Sequence, residues 1–164
     1  MEEFDLSLKI SVSEKAFQEQ IGKAEYDKIK EETFKRDKCT CCGCGYHPFD
    51  ESKINKSLSL HVIEINTEEI NKSECITLCI ACHTTQHIDA AIKKEWIKLV
   101  NSTFSQKRLI EMCRINSFHS LKDDNLRYLQ TTPEEYLKKI LDDKIPSNTK
   151  TKVIFTSKFE WGDL

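Results

Sequence analysis

Glycine and proline are scarce in this 164-residue sequence, at four and three residues, which excludes collagen-like repeats and low-complexity linkers. No apolar run approaches the roughly 20 residues of a membrane-spanning helix. The opening Met1-Glu2-Glu3-Phe4-Asp5 is acidic and has no apolar signal-peptide core. The chain is therefore expected to be soluble and cytoplasmic, with no membrane partner. A basic excess is missing as well: 25 basic residues face 27 acidic ones, for a net charge of −2. Dedicated nucleic-acid binders usually carry such an excess. Arginine is confined to Arg36, Arg108, Arg114 and Arg127, which leaves lysine for 21 of the 25 basic positions. Lysine serves as a point charge for phosphate and is a poor bidentate reader of base edges. Any contact with nucleic acid is thus expected to be to its backbone.

The residues that are present describe a polar but foldable chain. Apolar residues make up 38% and charged residues 32%, outside the range of disordered sequences. The length predicts one domain, 1–164, that buries roughly two-thirds of its unfolded surface. Eight cysteines stand out. Disulfides need an oxidising compartment, and the arrangement points to metal instead. Cys39, Cys41, Cys42 and Cys44 form one knot, Cys75, Cys79 and Cys82 a second, and Cys113 stands alone.

Alternation of Leu6, Leu8, Ile10 and Val12 predicts a strand over 4–12. Ser13 is a helix N-cap candidate, and a helix is expected from 14 to about 37, weakened but not ended by Gly22. Residues 39–47 read as a knuckle with turn glycines. SLSLHVIEI, 57–65, alternates as a strand, 66–74 is a polar loop, and CITLCI, 75–80, is a short strand entering a second knuckle. Helical patterns follow over 84–100 and 105–117, the latter with Leu109, Ile110, Met112 and Cys113 inward, and a weak one over 121–130. Thr132-Pro133-Glu134-Glu135 is a strong helix start, for a helix running to about Leu141. TKVIFTS, 151–157, reads as a last strand, expected to pair with the first.

Two Cys-x-x-Cys turns carry the chemistry. Each puts two sulfurs on one side with backbone amides aimed at them, and two such pairs complete a tetrahedral zinc site with bonds of about 2.3 Å. The second pair is Cys79 and Cys82. The first is read either as Cys41 and Cys44 or, offset by two, as Cys39 and Cys42. The gap from Cys44 to Cys79 is longer than in a simple zinc ribbon, which holds roughly 15–20 residues there, and the strand around His61 fills it. His83 directly follows Cys82, and His87 lies four residues on, a spacing that puts both on one helix face and lets them grip one ion. His47 and His119 have no comparable context.

Together these residues resemble the HNH nuclease family, also called His-Me finger or ββα-metal nucleases, over roughly 34–90. Arg36-Asp37-Lys38-Cys39-Thr40-Cys41-Cys42-Gly43-Cys44-Gly45 is similar to the family's opening Arg-Asp-x-x-x-Cys-x-x-Cys-Gly. Ile76-Thr77-Leu78-Cys79-Ile80-Ala81-Cys82-His83-Thr84-Thr85-Gln86-His87 is similar to its closing Ile-Thr-Leu-Cys-x-x-Cys-His-x-x-x-His. The resemblance implies an α+β fold: a zinc-stapled, treble-clef-like ββα-metal core over 34–90, preceded by a strand and helix over 1–33. A helical extension with a terminal strand then covers 91–164. It implies Cys41, Cys44, Cys79 and Cys82 as structural zinc ligands. It further implies a second divalent ion at His61, His83 and His87, and a phage or mobile-element setting.

The family's mechanism pairs a metal ligand with a general-base histidine on the strand, oriented by an asparagine on the following loop, to activate water against a phosphodiester. Here the strand carries one histidine. With His61 at the ligand place, the alignment favoured because Leu58, Leu60 and Val62 then keep the inward alternation, Val62 stands where the base should be. With His61 at the base place, Leu60 stands where the ligand should be, and either way the pair is broken. Glu74 stands in place of the asparagine. His61 and Glu74 are thus vestiges of the catalytic positions. General-base catalysis is worth about 10²–10⁴-fold, and an aliphatic residue takes no proton. The expected function is therefore that of a zinc protein binding a protein or nucleic-acid partner. An active metal-dependent endonuclease, with Glu64 or Glu74 as surrogate base, is the alternative.

Overall fold

The structure is a computed structural model, and it describes residues 4–9, 14–64, 66, 68–69, 73–115, 126–128, 132–142 and 151–161. The fold is α+β, with helices and two small antiparallel sheets. The chain divides into two compact units. Among the described residues, the first holds Phe4 and 14–83, and the second holds 5–9 and 84–161. No helix among the described residues is long and apolar enough to cross a membrane.

The first unit opens with α1 (Glu14–Ile21) and α2 (Lys23–Arg36). The single helix expected over 14–37 is corrected here. Gly22 adopts φ 80° and ψ 157°, a region almost reserved for glycine, and it separates the two helices. Beyond α2, Lys38 and Cys39 take left-handed φ values of 55° and 51°. The Cys39 N–H turns back to the Phe34 carbonyl at 2.7 Å, closing the helix end and releasing the chain into the cysteine turn.

A 3-10 turn (Glu51–Lys53) and α3 (Ile54–Ser57) lead into β1 (Leu58–Glu64), which pairs antiparallel with β2 (Glu74–Cys79). Leu58 faces Cys79, Leu60 faces Thr77 and His61 faces Ile76, and the register slips between Val62 and Glu64. The inward alternation expected of β1 is present: Leu58 and Leu60 are buried and Val62 is half-buried. Phe17, Leu60 and Cys75 form a buried cluster, flanked by Ile21, Tyr26, Ile29 and Val62. Phe17 thus anchors α1 against β1 and β2.

The Arg-Asp pair of the opening motif joins α2 to β2. Arg36 Nη2 donates to the Cys75 carbonyl at 2.8 Å and its Nε to Asp37 at 2.8 Å, while Asp37 accepts from the Thr77 N–H at 2.9 Å. The Thr77 carbonyl in turn accepts from the Cys42 N–H at 2.9 Å. One β2 residue therefore holds both the helix end and the cysteine turn.

β2 runs directly into α4 (Ile80–Thr85). The helix expected over 84–100 is otherwise corrected: Gln86 and His87 are non-helical, α5 covers only Ile88–Lys93, and β3 (Ile97–Ser102) follows. Glu95, at φ 56°, makes the turn between them. In the second unit α6 (Gln106–Ile115) buries Leu109, Ile110 and Cys113, with Met112 half-buried. β4 (Leu126–Tyr128) replaces part of the weak helix expected over 121–130, the rest of which lies outside the described residues. α7 (Pro133–Leu141) starts where its sequence said it would, and with reason. Thr132 Oγ1 accepts from the Glu135 N–H at 3.2 Å and the Glu135 carboxylate accepts from the Thr132 N–H at 3.3 Å, a reciprocal capping box.

β5 (Thr151–Phe155) pairs with β3, in the sheet order β4-β3-β5. The pairing expected between first and last strands is therefore not formed. Residues 4–9 have no regular strand; Lys9 instead exchanges backbone hydrogen bonds with Thr85 and Ile88, at 2.9 and 3.2 Å. Ile10 and Val12 lie outside the described residues. The extension is accordingly a small sheet with helices. Buried Gln106 locks α6 to β5, its amide exchanging 2.8 and 2.9 Å bonds with the backbone of Val153.

Candidate metal centres

The two Cys-x-x-Cys turns meet in the first unit. Cys41, Cys44, Cys79 and Cys82 bring their sulfurs within 4.8 Å of one another, and Cys44 Sγ lies 3.7 Å from Cys79 Sγ. Sulfurs bound at about 2.3 Å around one tetrahedral ion lie on the order of 3.8 Å apart, so the cluster can hold a metal ion such as zinc. The local backbone is built for sulfur. Cys41 Sγ accepts from the N–H groups of Gly43 and Cys44 at 3.3 and 3.5 Å, and Cys79 Sγ accepts from the Cys82 N–H at 3.4 Å. The first cysteine of each turn thus plays the same part.

Four thiols this close share their protons unevenly. Hydrogen bonds from Cys44, Cys79 and Cys82 hold the Cys41 thiol far below its usual range. The reciprocal bonds to Cys41 and Cys44, with burial added, push Cys79 and Cys82 well above theirs. A divalent cation would replace the protons these thiols share with a single central charge.

The two registers of the first turn are resolved by position. Cys41 and Cys44 join the cluster, whereas Cys39 and Cys42 do not. Burial, helped by the Asp37 carboxylate, raises the Cys42 thiol to about 11. Burial raises Cys75 to about 11, inside the Phe17 cluster, and Cys113 to about 12. These three are packed thiols reluctant to ionise. Among the described residues, which include every cysteine, none is in a disulfide.

A second group lies in the same unit. His61 on β1 and His83 on α4 place their rings edge to face, 5.4 Å apart at 71°. A third donor joins them: Glu14, at the start of α1. Its Oε1 is 2.7 Å from His83 Nε2 and 3.3 Å from His61 Nδ1. The ligand atoms of these three residues lie within 4.8 Å of one another. His61 is almost fully enclosed at 5% side-chain exposure, with Phe4 edge-on at 6.1 Å, while His83 and Glu14 are exposed by 20% and 18%.

Glu14 had no signal of its own in the sequence beyond its place after the Ser13 cap, since acids are frequent along both helices. His87 belongs to the second unit, half-buried with φ −135° and ψ 54° immediately before α5. His83 and His87 are therefore not two turns of one helix, as their spacing suggested. Glu64 and Glu74, the surrogate candidates, are exposed and face each other across the β1–β2 ladder. Neither joins a ligand group among the described residues. His47 is exposed and its Nδ1 lies 2.9 Å from the Cys39 carbonyl, a contact within its own loop; His119 lies outside the described residues. In comparisons with known proteins, no family model matches the chain and no curated protein is similar to it.

Proposed function

We propose that this chain is an HNH-like zinc protein that acts by binding a protein or nucleic-acid partner and does not cleave phosphodiesters. The observation that carries this reading is the position after His61. Val62 is half-buried against the Phe17 cluster, where the family resemblance calls for a proton acceptor. Zinc at Cys41, Cys44, Cys79 and Cys82 is the structural ion of the proposal, because an all-thiolate tetrahedral set leaves no open position for substrate. The succession β1, β2, α4, with a Cys-x-x-Cys turn at either end, supports the family assignment. His61 and His83 form the pair that holds a second divalent ion.

One observation favours the alternative of a working endonuclease: His61 and His83 still converge, although a zinc staple alone has no use for them. The test is direct. Purified protein is incubated with supercoiled plasmid and with single-stranded DNA in Mg²⁺, Mn²⁺, Ni²⁺ or Zn²⁺. The binding reading expects intact plasmid. Nicking that His83→Ala abolishes would overturn it.

A further inference from the structure

We infer that α1, which lies outside the stretch resembling the nuclease core, supplies a third ligand, Glu14, to the ion held by His61 and His83. The site is then a mixed imidazole–carboxylate centre for a borderline divalent ion such as Zn²⁺, Ni²⁺ or Co²⁺. The inference rests on His61 and His83 holding an ion, and the test below separates the two.

The geometry carries it. A single carboxylate oxygen of Glu14 is aimed at a ring nitrogen of each histidine, at 2.7 and 3.3 Å. Nitrogen and oxygen donors bound at about 2.0–2.2 Å around one ion lie on the order of 3–4 Å apart. The three atoms therefore need only small shifts to share a centre. The placement is built in, because Phe17, one helical turn after Glu14, is fully buried against Leu60 and Cys75. Residues three apart lie on one helix face, so the packing that seats Phe17 also delivers Glu14. Gly22 then lets the chain leave α1 at an angle no straight helix would allow.

The donor set selects the metal. Two imidazoles and one carboxylate suit Zn²⁺, Ni²⁺ or Co²⁺, whereas Mg²⁺ and Ca²⁺ take all-oxygen shells. An ion bridging α1, β1 and α4 would also fix α1 to the zinc-stapled hairpin. The N-terminal helix would then be held more firmly when metal is present.

The full chain, loaded with one equivalent of Zn²⁺, is titrated with Ni²⁺ by calorimetry, and metal content is checked afterwards. Wild type is expected to take up one further ion. Glu14→Gln and Glu14→Ala, each retaining the first zinc and an unchanged circular dichroism spectrum, are expected to bind that ion about 10-fold or more weakly, at least the loss seen for a supporting residue. Lys15→Gln, its exposed neighbour, is expected to match wild type. Hydrogen exchange over 14–21 should slow on Ni²⁺ addition in wild type and not in the Glu14 variants. Undiminished affinity in both Glu14 variants would overturn the ligand role of Glu14 and leave the histidine pair standing. No further ion in wild type, or undiminished uptake by His83→Ala, would remove the pair itself.

Discussion

Cys44 Sγ and Cys79 Sγ lie 3.7 Å apart although their residues are 35 positions apart in the chain. The contact closes a loop that contains α3, β1 and β2. Structural zinc in small domains contributes about 10–16 kcal/mol, comparable with the whole stability of a typical domain, about 5–15 kcal/mol. Chelation of the ion, or Cys79→Ser, is therefore expected to unfold the first unit. Cys39→Ser, at the rejected register, is expected to retain one zinc. Metal content and far-ultraviolet circular dichroism on the two variants check this; a Cys79→Ser protein with full zinc would contradict the ligand assignment.

Metal affinity at this cluster should fall steeply with acid. Mutual hydrogen bonding and burial push the Cys79 and Cys82 thiols well above the ordinary range, while hydrogen bonds from its neighbours hold Cys41 well below it. Each bound ion must therefore expel at least the protons of Cys79 and Cys82, about two or more per ion. The sign follows: lower pH opposes binding, with affinity decreasing by at least about 100-fold per pH unit at neutral pH and below. Zinc titration in buffers of different ionisation enthalpy measures the protons directly. Release of fewer than one would mean that the thiols are already ionised before the ion arrives.

Asp37 gives the first unit an acid limit of its own. Burial by itself would raise its carboxyl, but the Arg36 guanidinium and the Thr77 N–H outweigh that and lower it. A carboxylate with a depressed folded-state pKa stabilises the fold above the unfolded value of about 3.9, and this contribution is lost as pH falls through the folded value. Asp37→Asn is expected to destabilise the zinc-loaded protein at pH 7 and to flatten the decline in stability below about pH 4. Urea unfolding at several pH values reads both. Equal losses for wild type and variant across the acid range would assign the decline to other carboxylates.

Local signals in the sequence were legible where one short pattern decided the outcome. The alternation of Leu58, Leu60 and Val62 marked β1. The Cys-x-x-Cys spacings marked the sulfurs, and Thr132 with Glu135 marked the start of α7. Patterns that ran together were misread. Ile88, Ala91, Ile92, Trp96 and Leu99 continue a helical period, yet the left-handed turn at Glu95 ends it and sends Ile97–Ser102 into a sheet. Lys9 illustrates a second limit: its partners, Thr85 and Ile88, follow only from the folded chain. Glu14 is the same case at the site, since nothing in a lysine- and glutamate-rich helix distinguishes the one acid that meets two histidines.

Gly22 tests whether backbone conformation, apart from packing, sets the entry of α1. At φ 80° and ψ 157° it occupies a region that side-chain-bearing residues avoid, at a cost of about 1–3 kcal/mol. An added Cβ would meet nothing within 4 Å, so any penalty in Gly22→Ala comes from the backbone alone. The variant has two ways to respond. It can keep the break and lose that stability, or it can straighten α1 into α2 and carry Phe17 out of its cluster with Leu60 and Cys75. Burial favours the first, because exposing a fully buried phenylalanine costs about 1.5–3 kcal/mol before any cavity is counted. Gly22→Ala is therefore expected to lower stability by about 1–3 kcal/mol with the helix content of the zinc-loaded protein unchanged. Denaturant unfolding gives the first quantity and circular dichroism the second. A variant as stable as wild type would show that α1 does not require this conformation.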